Sequence, residues 1–270
     1  MAVILITNDD GVNALGIRRL AESMLDHSNK LVVVAPTVQR SGESKSLTFS
    51  RPLRVTKVNL FPFPAFSVDG TPADSVIIGQ HLCQKEYGQR PDLIVSGINA
   101  GDNSSLHALL TSGTCAAAFE GAILQIPSIA FSLEVKSSEL FDQNQSADYL
   151  IQAKRASEIV GVVLKHGMPD GIKFLNVNFP SDCTMETPVE VVHLAPEKYR
   201  NDVIETTDPR GVEMFWIWGD LVDSIPEGTD SYALMTNRSI SITPISLGFG
   251  RWAVPKFKIF FDSHYKNKET

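Results

Sequence analysis

The sequence predicts an α/β fold built on a doubly wound, mostly parallel sheet, and three observations carry that prediction. Val3-Ile4-Leu5-Ile6 and Leu31-Val32-Val33-Val34 are short apolar runs, rich in β-branched residues, of the kind buried on both faces of a parallel sheet. Helical periodicities separate such runs along the first two thirds of the chain. The first run ends in Asn8-Asp9-Asp10-Gly11, and open α/β sheets bind ligands beyond the carboxyl ends of their strands. Two adjacent carboxylates there repel each other unless a cation sits between them, so the turn reads as a metal site. The plainer alternative is a solvated turn in which Asp or Asn caps the next helix.

After that turn, Leu15, Leu20, Ala21, Met24 and Leu25 recur at helical spacing, with Asn13 or Asn8 as the expected cap. Leu31–Ala35 then closes a βαβ unit that lacks the GxGxxG of a dinucleotide site. Pro36 opens a polar loop, Thr37 to Ser46. Its Arg40-Ser41-Gly42-Glu43-Ser44-Lys45 could bind an anion through backbone N–H and hydroxyl donors, although most Ser/Gly loops are only loops. Residues 47–68 read as hairpin material. Thr71, Pro72 and Asp74 read as the cap and first turn of a helix reaching about Gln84, and capping accounts for them without function.

Asp92–Ser96 is the next strand, followed by Gly97-Ile98-Asn99-Ala100-Gly101-Asp102-Asn103, where Asn99 offers a neutral oxygen. Ser112-Gly113-Thr114 opens a small-residue helix running to Gln125. Its amino end suits a phosphate as well as it suits an ordinary cap. Strand Ser128–Ser132, helix Asp148–His166 and strand Lys173–Asn178 continue the alternation. From Val189 to Trp218, strand-like pieces carry exposed-looking aromatics (Tyr199, Phe215, Trp216, Trp218), which suggests a hairpin arm packed on another subunit. Thr229-Asp230 and Ser239–Pro244 suggest a return to the sheet, and Lys256–Phe261 alternates like a last strand. The expectation is one domain over 1–270: an α/β core over 1–180, an oligomerisation arm over about 190–225, and a return to the core with a tail over 229–270.

The net charge of −7 argues against a partner that is a nucleic-acid polymer, but not against a small anion met through a metal. Cys83, Cys115 and Cys183 contain no CxxC, which fits a reducing cytoplasm better than disulfides or thiolate zinc. Glu120, Gln125 and Pro127 interrupt the best apolar stretch, so no membrane span is expected, and the reading is a cytoplasmic, unprocessed protein.

Together the motifs resemble the SurE family, the stationary-phase survival proteins that act as metal-dependent nucleotidases. The matching pieces are Thr7-Asn8-Asp9-Asp10-Gly11, Ala35-Pro36 with Arg40-Ser41-Gly42, Gly70-Thr71-Pro72-Ala73-Asp74, Ser96-Gly97-Ile98-Asn99 and Ser112-Gly113-Thr114. Asp208-Pro209-Arg210-Gly211, Thr229-Asp230 and Ser241-Ile242-Thr243-Pro244 follow in the family's order. The resemblance implies a Rossmann-like fold, dimers or tetramers built with an extended arm, and hydrolysis of nucleoside monophosphates as a 5'/3'-nucleotidase. Carried over by position, it places one divalent ion per subunit, magnesium or manganese, on Asp9, Asp10, Ser41 and Asn99. Phosphate then falls to Ser41, Gly42, Asn99, Ser112, Gly113 and Thr114. The departures are Ser104-Ser105, where many members have a glycine, and Cys115-Ala116 after the Ser-Gly-Thr. Both bear on loop shape and substrate preference.

Oxygen ligands of this kind suit magnesium or manganese better than zinc or copper. In this scheme a metal-activated water attacks the phosphorus, and Asp9 or Asp10 takes its proton. No general acid is evident, and a lone His107 is more often structural. A haloacid-dehalogenase-type site needs Asp-x-Asp, which adjacent Asp9 and Asp10 do not supply. A receiver-like signalling module, the non-enzymatic alternative, needs an Asp where Ser96-Gly97-Ile98-Asn99 stands. Walker and GxSxG motifs are absent.

Overall fold

The computed structural model describes residues 1–25, 30–135, 147–248 and 253–265. The first apolar run is strand β1 (Val3–Thr7), buried throughout, and helix α1 (Leu15–Ser23) leads to β2 (Lys30–Pro36), which pairs parallel to it with Leu5 opposite Val32. The expected hairpin over 47–68 is β3 (Val55–Lys57) against β4 (Ala65–Val68), and β4 lies parallel to β2. Helix α2 (Pro72–Tyr87) starts at the expected Thr71, in a capping box with Asp74, and ends at Gly88 in the left-handed conformation. Then come β5 (Leu93–Ala100), α3 (Leu106–Thr111), α4 (Gly113–Ile123), β6 (Ser128–Leu133), α5 (Leu150–His166) and β7 (Phe174–Phe179).

The later elements are β8 (Val189–Val191), β9 (Asp202–Thr207), β10 (Glu213–Trp218), α6 (Asp230–Met235), β11 (Ile240–Ile245) and α7 (Ala253–Tyr265). Nine of the described strands form one sheet in the order β3-β4-β2-β1-β5-β6-β7-β11-β8, in which β4 through β7 are mutually parallel and β11 runs against β7. Ile4, Ile6, Val33 and Val95 face α1 and α5, whereas Val3, Leu5, Val32 and Ile94 face α2 and α4. This clean alternation buries both faces of β1, which is why its sequence reads as continuously apolar. The helices that follow β1 and β5 leave toward opposite faces, so a crevice opens at the carboxyl ends of those two central strands.

Three readings are corrected. Neither Asn8 nor Asn13 caps α1; Ala14 stands at that position without a side-chain hydrogen bond. Asn8 instead bonds Gly11 twice, Nδ2 donating to its carbonyl and Oδ1 accepting from its N–H, which shapes the acidic turn. The expected last strand over Lys256–Phe261 lies inside α7, where Phe257 meets Phe260 and Phe261 at centroid distances of 5.9 and 6.1 Å. Contacts three and four residues apart are helical neighbours, and six residues of alternation are too few to exclude them. The stretch 190–225 also divides. Val189–Val191 joins the main sheet beside β11, and only β9 and β10 form the separate two-stranded hairpin.

Candidate active site

Asp9 and Asp10 follow β1 directly, and Asn99 lies near the end of β5, which flanks β1 with Thr7 opposite Ser96. β5 is irregular here: its register with β6 shifts between Ser96 and Asn99, and the Gly97–Ile98 peptide is cis. Gly97 has φ +126, and a Cβ there would stand 2.2 Å from the Phe131 carbonyl oxygen, so no other residue allows this bend beside β6. A cleft of about 170 Å³ opens at the crevice, and Asp9, Ser41, Gly42, Asn99, Asp102 and Ser112 contribute to its lining. A larger apolar groove of about 620 Å³, lined by residues including Leu109, Phe119 and Val192, lies elsewhere and has no carboxylate in its wall.

Asp9 is 3% exposed, and its carboxylate accepts a very short hydrogen bond from the Thr114 hydroxyl. A Cβ on Gly113 would sit 2.7 Å from the Asp9 Cβ, so the glycine lets the α4 start close on this side chain. The Ser112-Gly113-Thr114 turn, expected to cradle phosphate, here spends its Thr114 hydroxyl on Asp9. Ser112 alone of the three lines the cleft, accepting from the Cys115 N–H at 3.1 Å and leaving its own hydroxyl proton to donate. Asp10 stands just outside the cleft lining. It accepts from the Ala100 N–H at 3.3 Å and makes a long 3.5 Å contact with the Gln39 amide, which also donates to Ser41 Oγ at 2.9 Å. Asn99 donates through Nδ2 to the Gly101 carbonyl at 2.6 Å, leaving its amide oxygen as the end able to ligate. The Ser41 loop is fixed by Arg40 N–H to the Asp9 carbonyl at 2.7 Å, and by Ser44 to the carbonyls of Thr111 and Leu110.

Burial pushes Asp9 above the usual carboxylate range, against the Thr114 hydroxyl and the nearby backbone N–H groups, which pull it down. Asp10 is pushed up to about 7, by burial first and by the Asp9 charge second. Among the described residues no lysine or arginine pairs with either carboxylate. A like-charged pair enclosed without a cation, with a hydroxyl and an amide oxygen alongside, is a donor set that fits a hard divalent ion. No cluster of three or more His, Cys, Asp or Glu is present among the described residues, so such an ion would rest on two carboxylates and neutral oxygens. His107 lies on the short α3 and is exposed.

Sequence reasoning passed over several contributors. Gln39 bridges Asp10 and Ser41. Asp102 lines the cleft and is held by Lys198, whose Nζ lies 2.8 Å from both carboxylate oxygens. Asp230 is wholly buried and accepts from the N–H groups of Ser105, Ala195 and Ser231. A third carboxylate in the Gly-Asp-Asn loop was a visible signal for Asp102. Lys198 gave none, because nothing local marks a pairing across 96 residues.

A sequence profile described as "Survival protein SurE" matches residues 4–201. A protein named 5'-nucleotidase SurE from Methanosarcina acetivorans is 42% identical over 250 residues, covering 90% of this chain and 91% of its own. One of the same name from Archaeoglobus fulgidus is 41% identical over 244 residues, at 90% and 91% coverage. The crystal structure of a SurE protein from Aquifex aeolicus superposes with a TM-score of 0.80 at 35% identity, covering 96% of this chain and 99% of that one.

Proposed function

The chain belongs to the SurE family of survival proteins, and from that premise we propose that it hydrolyses nucleoside 5'-monophosphates to a nucleoside and inorganic phosphate with the help of a divalent cation. It is a phosphoric monoester hydrolase. The observation that carries the reading is the acidic pair itself: two adjacent carboxylates with no lysine or arginine paired to either among the described residues, at the mouth of the central strands, beside a cleft of hydroxyl and backbone donors.

Asp9, Asp10, Ser41 Oγ and the Asn99 amide oxygen would hold one magnesium or manganese ion per subunit. When bound, that ion neutralises charge on the phosphoryl group and makes nearby water more acidic. The Ser112 hydroxyl and the Ser41-Gly42 backbone donate to the phosphate oxygens and turn the phosphorus toward the acidic pair. Asp10 takes the proton of the attacking water, because its two contacts are long while Asp9 is already engaged by Thr114. The Gly113 and Thr114 contacts to Asp9 fix that carboxylate and contribute to the phosphate site through it.

Two further readings accompany the activity. Hairpin β9–β10 displays Phe215, Trp216, Ile217 and Trp218, all strongly exposed, and so supports a subunit contact within a homodimer or homotetramer. No described helix is long and apolar enough to cross a membrane, and the three cysteines are unpaired, which supports the cytoplasm as its place of work. Phosphate release from a panel of 5'- and 3'-nucleoside monophosphates tests the proposal. Release that EDTA abolishes, and that magnesium or manganese restores, is expected. Release indifferent to EDTA, or absent from every nucleotide, contradicts it.

A further inference from the structure

We propose that Lys198 is a positioning residue of the phosphate site, cancelling the charge of Asp102 so that this wall of the cleft can accept an anion. The inference rests on the reading of the cleft as a phosphate site. Asp102 lines the cleft with Asp9 and Asn99, yet stands outside the proposed ligand set, so its charge faces the same small volume as the substrate. One divalent ion offsets Asp9 and Asp10 and no more. A third carboxylate beside a phosphate repels it unless it has a counter-ion of its own.

Lys198 is that counter-ion. Its side chain is 4% exposed and that of Asp102 12%, and the ammonium sits 2.8 Å from both carboxylate oxygens. Ser104 completes the shell, donating to Asp102 through its hydroxyl in a very short bond and through its N–H at 3.3 Å. Burial alone would lower the Lys198 pKa; Asp102, with Tyr199 and Glu134, more than offsets this and holds the ammonium charged. Among the described residues no other cation pairs with Asp102.

A purely mechanical role for the lysine is the competing explanation, and the neighbouring contacts weigh against it. The loop that carries Asp102 is already tied to the later chain by Ser105 N–H to Asp230, by Leu106 N–H to the Ala195 carbonyl, and by Ser231 Oγ to Ser104 Oγ. These ties work without Lys198, so what the lysine adds is charge.

The test compares steady-state kinetics on a nucleoside 5'-monophosphate, and competitive inhibition by inorganic phosphate, in the full chain loaded with manganese. Lys198→Met is expected to raise KM and the phosphate inhibition constant together by about tenfold, with kcat falling less than KM rises. Lys198→Met with Asp102→Asn removes both charges and is expected to restore both constants. Should Lys198→Met alone fail to fold, as an unpaired buried carboxylate can cause, the double variant decides: with both charges gone, its KM and phosphate inhibition constant stay near those of the wild type, whereas loss of a structural tie would weaken both. The inference is overturned by a folded Lys198→Met with unchanged constants, by a double variant as weak as the single, or by a folded double variant that binds phosphate more weakly than the wild type. A wild-type chain that neither releases phosphate nor is inhibited by it refutes the phosphate-site reading itself, a result distinct from an active wild type with unmoved variants.

Discussion

Asp9 and Asp10 set the electrostatics of the site, and their behaviour without metal is a measurable consequence. Both are raised, so between about pH 4 and pH 7 the folded chain holds protons that the unfolded chain releases, and stability falls as pH rises through that window. The thermal midpoint of EDTA-treated protein should therefore drop from pH 5 to pH 8, and added manganese should recover more at pH 8 than at pH 5. A midpoint that climbs over that range contradicts the enclosed pair. Ser105 offers a second residue-scale prediction. It holds φ +99 and ψ 157, a region nearly confined to glycine. Its cap bond to the Ala108 N–H is long at 3.3 Å, and glycine at such a cap loses only a few tenths of a kcal/mol. Ser105→Gly should stabilise the fold by about 1 kcal/mol in urea denaturation; an unchanged or lower midpoint would show the conformation to be unstrained. The acidic pair and the Thr71–Asp74 capping box were legible in sequence because each lies within four residues. The Asp102–Lys198 and Asp230–Ser105 contacts were not, since their partners meet only through the fold.

The hairpin and the tail show where reading by elements succeeds and fails. Strand β10 is exposed along its whole length, with Trp216 at 61%, and among the described strands it pairs only with β9. A two-stranded ribbon in water stabilises itself poorly, so aromatic side chains in that density point to a partner surface. Deleting 202–218 should leave a folded chain that elutes later from a sizing column, as a smaller assembly; an unaltered elution volume contradicts the contact. Hairpin character was readable because strand-like pieces there carry aromatics, Phe215, Trp216 and Trp218, that an isolated ribbon cannot bury. The reach of the arm was not, because Val189–Val191 pairs with β11, far along the chain. The tail failed for a different reason: Lys-Phe-Lys-Ile-Phe-Phe satisfies a period of two and a spacing of three or four equally well.

For the molecule as a whole, the sheet order explains why residues so scattered share one cleft. The chain builds outward from β1 through β2 to one edge, returns to β5 on the other side, and continues through β6 and β7. This leaves the acidic turn and the Asn99 loop side by side at the carboxyl ends. The parallel core was legible from its apolar runs, each bounded by polar loops and separated by helical patterns. The contribution of the later chain, which props residues 105 and 106 through Ala195 and Asp230 and balances the charge of Asp102 through Lys198, lay beyond local pattern. The account stands on the acidic pair as the seat of a cation, and calorimetric titration of manganese into EDTA-stripped protein addresses that directly. One saturable site per chain is predicted for the wild type. Asp10→Asn should weaken binding on the order of 100-fold or more while the circular dichroism spectrum is preserved. Equal manganese binding by the two proteins would contradict the account.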